Sequence, residues 1–353
     1  MKLHHCFFYY LFFYTNITYS SEYIYPVACL DNGITVLYIH QSNATSLELL
    51  EWNSKTDHTE QVLWSLFNPA GFQLLPDNSG FSFIDNGRLR IKLFERRSPR
   101  TIDFDEPLFN FNSLHWLDRH TCYCSAQQGD NFGLFQLYDN GMVECLLKKD
   151  DVDYMYPQKI DDQLFYIERY STKKDPRSFH YQIVCSLYSR NNSCANKQDV
   201  VVDFADTPII FLTMISNKEG FVLEHIQNID PHNQTIQFLY HQIKQKNAKW
   251  HSKMLFSFDI PTNLLFSSDE RLYESLLPLL PRIVNNKIYF VDSAKTDDNN
   301  LRPYFYDLSK NLTQNIIVPI KHKGHYFVPM LCGKKFCCGG TMVNREKHLL
   351  FFN

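Results

Sequence analysis

A short unit recurs along almost the whole chain: an apolar strand, a tight polar turn, then a second strand of alternating aromatic and β-branched residues. The turn reads Leu30-Asp31-Asn32-Gly33 before Ile34 to Ile39, and Pro76-Asp77-Asn78-Ser79-Gly80 before Phe81 to Ile84. It returns at Leu117-Asp118-Arg119-His120, Ile160-Asp161-Asp162-Gln163, Ser216 to Gly220, Val284 to Lys287 and, in degenerate form, Gly333-Lys334-Lys335. Asn and Gly tolerate positive φ, and Asx side chains bond the backbone two residues onward, so each turn closes a hairpin. A third strand follows, as in Arg88 to Leu93, Phe132 to Tyr138 and Thr235 to Tyr240. A shorter fourth closes the unit, as in Thr101 to Phe104, Met142 to Cys145 and Val200 to Phe204. Four antiparallel strands in roughly 45 residues is the pattern of a propeller blade.

The expected fold is therefore an all-β propeller of about seven four-stranded blades, with six as the alternative. Later gaps between turns widen, most of all between the fifth and sixth. There Ser267 and Glu270 form a capping-box pattern ahead of Arg271 to Leu277, which predicts one short helical insertion near 267–277. The C-terminal unit has two clear strands and then Leu349 to Phe352. Residues 21–25 are expected to supply its missing strand, which would remove an exposed sheet edge.

The first twenty residues read differently from the rest. A weakly basic start, the apolar run Phe7 to Tyr14 and the small residues around Ser20 predict a secretory signal peptide over 1–20. Residues 21–353 are then one propeller domain, periplasmic or secreted, without a transmembrane segment in the mature chain. Aromatic residues reach 15%, with 29 Phe and 21 Tyr, a composition that favours strands and can bury a large core. The formal net charge of −3 offers no field to steer the chain to nucleic acid.

Of ten cysteines, Cys6 falls in the signal. No CxxC pair occurs, which argues against zinc ribbons and thioredoxin-like chemistry. Cys122 and Cys124 are expected to be buried thiols on one face of a strand. Cys185 and Cys194 flank a polar turn and are the candidate disulfide in an oxidising compartment.

The segment Pro76-Asp77-Asn78-Ser79-Gly80-Phe81-Ser82-Phe83-Ile84 resembles the turn-and-strand signature of TolB-like, or WD40-like, bacterial propeller repeats. The resemblance implies the propeller fold and a tendency to bind protein partners. That family's N-terminal α/β domain has no counterpart before Tyr25, and no binding residue transfers.

The innermost strands precede each Asx turn and carry the candidate channel-lining residues Gln73, His115, Gln158, Thr213 and Arg282. Few carboxylates accompany them, whereas a glycosidase needs at least two acidic groups converging on the channel. The Asp103/Asp105 and Asp151/Asp153 pairs lack the Gly and Glu of a calcium loop. No Gly-x-Ser-x-Gly elbow, Walker loop or Gly-x-Gly-x-x-Gly motif is present. The sequence thus names no catalytic residue, metal ligand or cofactor. Its leading functional reading is an exported protein-interaction or scaffolding module. The alternative is a carbohydrate-active hydrolase or lyase using the channel.

Overall fold

The computed structural model describes residues 22–352, except 31–34, 44–45, 54, 67–69, 86–87, 130, 172–178, 189–193, 227–234, 263–278, 294–299, 318–324 and 343–349. The expected signal segment and the expected helix near 267–277 lie outside the described residues.

Six successive sheets each contain four consecutive antiparallel strands. The first is built from β1 (Glu22–Leu30), β2 (Thr35–Asn43), β3 (Ser46–Asn53) and β4 (His58–Leu66). The second comprises β5 (Ala70–Leu74), β6 (Gly80–Asp85), β7 (Arg88–Leu93) and β8 (Arg100–Thr101). The third comprises β9 (Phe109–Trp116), β10 (Thr121–Gln128), β11 (Asn131–Tyr138) and β12 (Val143–Leu147). The fourth holds β13 (Val152–Ile160), β14 (Gln163–Ser171), β15 (Phe179–Tyr188) and β16 (Cys194–Ala205). The fifth holds β17 (Ile209–Ser216), β18 (Glu219–His225), β19 (Thr235–Lys246) and β20 (Lys249–Pro261). The sixth holds β21 (Arg282–Val284), β22 (Lys287–Asp292), β23 (Arg302–Asp307) and β24 (Leu312–Asn315).

The C-terminal unit differs. β25 (Met330–Cys332), β26 (Lys335–Cys338) and β28 (Leu350–Phe352) form a three-stranded sheet, while β27 (Thr341–Met342) pairs with Glu22 and Tyr23 of β1. The result is a propeller of six four-stranded blades with a partial seventh sheet. The N-terminal strand does not complete that last sheet. β1 instead belongs to the first blade, because its longest ladder is with β2, and β27 crosses over to join it.

A disulfide strengthens this closure. Cys29 on β1 is bonded to Cys332 on β25 across 303 residues of sequence. The expected Cys185–Cys194 bridge is absent. Cys185 is a buried free thiol opposite Asp199, while Cys194 stands several rungs away opposite Tyr188. The hairpin register therefore separates them.

The turns show why Asx residues recur. Asp118 Oδ1 accepts from the backbone N–H groups of His120 (2.7 Å) and Thr121 (2.8 Å), and Asp77 Oδ1 accepts from that of Ser79 (3.0 Å). Asn285 and Asn286 both take positive φ, at 48° and 62°, as a two-residue hairpin of matching twist requires. Gly80 has a different reason: a Cβ there would lie 2.2 Å from the Lys92 carbonyl oxygen.

The core is distributed between blades rather than gathered at a centre. Ala28, Leu37, Leu49 and Leu63 of the first blade pack on Phe81 and Phe83 of the second. Ile84, Leu89 and Ile91 meet Phe111, Leu114 and Trp116 of the third. Tyr123 and Leu134 meet Tyr154 and Tyr166 of the fourth. The largest cluster joins Phe238, Tyr240, Phe256 and Phe258 to Phe290, Tyr304 and Tyr306, with the Phe256 and Phe290 rings stacked at 4.2 Å. The aromatic content is thus spent on wide, flat seams between sheets.

Two measurements follow from these contacts. Cys29→Ser, or reduction of the native protein, should lower stability by about 2–5 kcal/mol, as removal of a long-loop disulfide does. Urea unfolding with and without reductant checks this; identical curves would show that the bond does not hold the ring. Ala248 has φ of 62° in the β19–β20 turn, so Ala248→Gly should stabilise by about 1 kcal/mol. A loss of stability there would refute a strained turn.

Candidate functional site

Gln73, His115, Gln158, Thr213 and Arg282 all lie on the first strand of their own blades, namely β5, β9, β13, β17 and β21. All five are part-buried. Two of them are turned into the neighbouring blade. Gln73 Nε2 donates to the Leu114 carbonyl at 2.7 Å, and the His115 ring N–H donates to the carbonyl of Lys159. These are links from β5 to β9 and from β9 to β13. Gln158 stands opposite Phe165 just past an irregularity in its ladder, and Thr213 stands opposite Phe221. Arg282 reaches the last sheet, where its guanidinium lies near Cys337; burial lowers it to about 10.

The same stitching recurs with buried serines that the sequence did not single out. Trp116 Nε1 donates to Ser82 Oγ at 2.7 Å. The Tyr156 N–H donates to Ser113 Oγ at 3.1 Å, and Ser125 Oγ donates to the Tyr154 carbonyl at 2.6 Å. Each bond joins a blade to its successor. Asp153 accepts from the Phe132 N–H of the preceding blade and pairs with Arg169 at 2.7 Å. One member of the weighed Asp151/Asp153 pair therefore serves a structural contact.

Among the described residues, Asp259 and Asp292 are a carboxylate pair close enough to act on one another. Burial, and then the neighbouring Asp292 charge, push the Asp259 carboxyl up. Yet Asp292 Oδ1 accepts from the Asp259 N–H at 3.1 Å, and the Ser293 hydroxyl donates to the Asp259 carbonyl at 3.0 Å. Asp259 lies near the end of the outermost strand of the fifth blade and Asp292 ends the second strand of the sixth. Their place is a seam rather than the inner strands.

Of the six free thiols among the described residues, Cys145 is exposed and the other five are buried. Cys122 and Cys124 are fully buried, and burial raises both well above the ordinary thiol range. Burial likewise raises Cys185 to about 11 and Cys338 to about 12. Thiols held protonated in this way make poor nucleophiles. Among the described residues, no three His, Cys, Asp or Glu side chains come together as a metal site would require. No helix among them is long and apolar enough to cross a membrane.

One end of the molecule carries a surface that sequence reasoning missed. Antiparallel order places both the first-to-second and the third-to-fourth strand turns of every blade at the same end. Ten large apolar side chains are exposed among the described residues. Six of them, Phe94, Leu117, Met142, Leu187, Ile215 and Leu312, sit at this end, between 36% and 52% exposed. They are spread over the second to sixth blades. Each is isolated in sequence, so only the shared direction of the strands unites them.

No family model matches the chain, and its sequence finds no match among curated proteins. Solved structures do match its shape. A puromycin-hydrolyzing peptidase from Mycobacterium tuberculosis superposes with a TM-score of 0.59 at 10% identity, covering 91% of this chain and 49% of that one. The chain thus spans about half the length of that peptidase. An oligogalacturonate lyase in complex with manganese gives 0.55 at 9% identity, covering 90% and 88%. The β-propeller domain of the Trilobed protease from Pyrococcus furiosus, described as having an open velcro topology, gives 0.51 at 12%, covering 94% and 96%. At such identities the likeness shows the fold alone. The resemblance to TolB-like repeats accordingly holds as far as the propeller.

The His115 link has a pH signature. Burial, the larger effect, pulls His115 below its usual value, against the raising effect of the Lys159 carbonyl. With the folded value below the unfolded one, its stabilising contribution is full above about pH 6.5. It falls as the pH drops through the folded value, because the unfolded chain binds the proton more readily. His115→Gln should flatten the decline in thermal midpoint between pH 7.5 and pH 5.5. An unchanged slope would place that decline elsewhere.

Proposed function

We propose that the protein is an exported, non-enzymatic propeller that docks a protein partner on the end bearing its paired turns. The observation that carries this reading is that six of the ten exposed large apolar side chains among the described residues, from Phe94 to Leu312, lie at that end. Large apolar groups gathered on one face of a rigid scaffold are a recurrent feature of interaction surfaces. Loops held by such a scaffold are where binding residues concentrate. The inner-strand polar groups Gln73 and His115 are already engaged in blade-to-blade bonds, which leaves them less available for chemistry. Export, with residues 1–20 as the signal, is supported by the Cys29–Cys332 bond, since such bonds persist in oxidising compartments.

A second reading is a carbohydrate-active hydrolase or lyase working in the channel. It is favoured by one observation: the ring has the size of the oligogalacturonate lyase, 88% of which it covers.

Cross-linking and capture from envelope and secreted fractions separates the two. A partner recovered by the native protein should be lost at least tenfold from the Leu117→Glu/Ile215→Glu variant, whose thermal midpoint should be unchanged. It should be retained by Phe109→Glu, which alters an exposed residue at the opposite end. Equal retention by both variants would refute the proposed face. New reducing ends released from polyuronate, with manganese added, would establish the channel reading instead.

A further inference from the structure

At the same end of the molecule, residues of the second and third blades line an open pocket of about 100 Å3. Its floor is apolar, formed by Leu75, Ile91 and Leu93, and its rim carries Arg96, Arg100, Arg119 and Asp139. Arg96 lies in the turn after β7, Arg100 opens β8, and Arg119 lies in the Asx turn after β9. Three arginines from two blades therefore line one small space.

The charges at this rim are unbalanced. Asp139, its one carboxylate, is bonded to the His120 ring at 2.9 Å. Arg119 has a loose contact with Asp77 at 3.9 Å, but Asp77 is already held by the Ser79 hydroxyl at 2.6 Å. Neither Arg96 nor Arg100 has a carboxylate within ion-pair distance among the described residues. The turn that presents them is not loose. The buried Lys92 ammonium donates to the carbonyls of Leu93 and Arg96, and the Phe94 N–H donates to the Ser79 carbonyl at 3.0 Å. Like charges are thus brought together by a fixed backbone.

We propose that this pocket binds a tetrahedral oxyanion, the phosphoryl or sulfuryl group of a ligand. Guanidinium forks match oxyanions in pairs of parallel hydrogen bonds. A single carboxylate satisfies one fork, whereas a tetrahedral group presents enough oxygens, and enough charge, for three. The volume sets the scale. Ligand sites for drug-sized molecules occupy roughly 300–1,000 Å3, so this one holds the anionic group while the rest of the ligand extends outward. The inference is independent of the partner reading, because it rests on none of the six exposed apolar residues.

Calorimetric titration of the full chain at low ionic strength, using inorganic phosphate, sulfate and acetate as probes, tests this. Saturable single-site binding of phosphate or sulfate is expected, with acetate at least tenfold weaker. The tighter of the two names the source as phosphorylated or sulfated. Arg96→Gln/Arg100→Gln should weaken binding about tenfold or more, the usual effect of losing charged hydrogen bonds. Arg88→Gln, at the other end of β7, should bind as the native protein does, and both variants should keep its thermal midpoint. Absence of saturable binding, acetate as tight as phosphate, or equal losses in the Arg88 variant would overturn the proposal.

Discussion

Each blade of this propeller has two apolar faces, and neither is covered until its neighbours are in place. A four-stranded sheet standing alone would expose Phe81 and Phe83, or Tyr154 and Tyr166, to water. The ring removes that cost by making every sheet both a wall and a lining for the next. Closure is therefore the condition on which all the seams depend. It is met at the two ends of β1, by β27 joining Glu22 and Tyr23 at its start and by the Cys29–Cys332 bond near its finish. Val36 and Cys337 pack with Cys332 there, so the covalent link sits within an apolar contact rather than beside one.

Apolar packing sets the distance between blades but not their register along the seam, since flat aromatic surfaces slide. Directional bonds supply that register. Ser82 with Trp116, Ser113 with the Tyr156 N–H and Ser125 with the Tyr154 carbonyl each pin one blade to the next at a single height. A buried donor without a partner costs about 1–3 kcal/mol, so a slip of one rung at these points is opposed by lost hydrogen bonds as well as by packing. Two polar residues of the inner strands take part in the same task. Gln73 and His115 are members of this set.

The consequence for function is a division between ends and interior. Ser82, Ser113 and Ser125 join blade to blade in the interior, and burial raises the Cys122 and Cys124 thiols. The end where two turns per blade emerge is a separate surface. Apolar side chains from five blades and three arginines from two blades are displayed there. Both sets are held by short turns on rigid hairpins, which favours recognition without large rearrangement.

Much of the architecture was legible in the chain itself. Asp118, Asn78 and the Asn285-Asn286 pair mark hairpins because only a few side chains accept the turn geometry or bond its backbone. The spacing of those turns yields four-stranded units, and alternation puts Cys122 and Cys124 on one face of a strand whose two faces are both buried. Other features depend on residues far apart in sequence. Cys29 and Cys332 meet only when the ring closes, whereas the nearer pair Cys185 and Cys194 is separated by the hairpin register. The serine links require knowing which strand of one blade faces which strand of the next. Arg96, Arg100 and Arg119 belong to different turns and become one site only because neighbouring blades place those turns side by side. Local sequence determined the hairpins, since turn chemistry is a short-range property. The tertiary structure alone decided the closure, the seams and the sites, because each is a contact between units whose relative placement no single unit encodes.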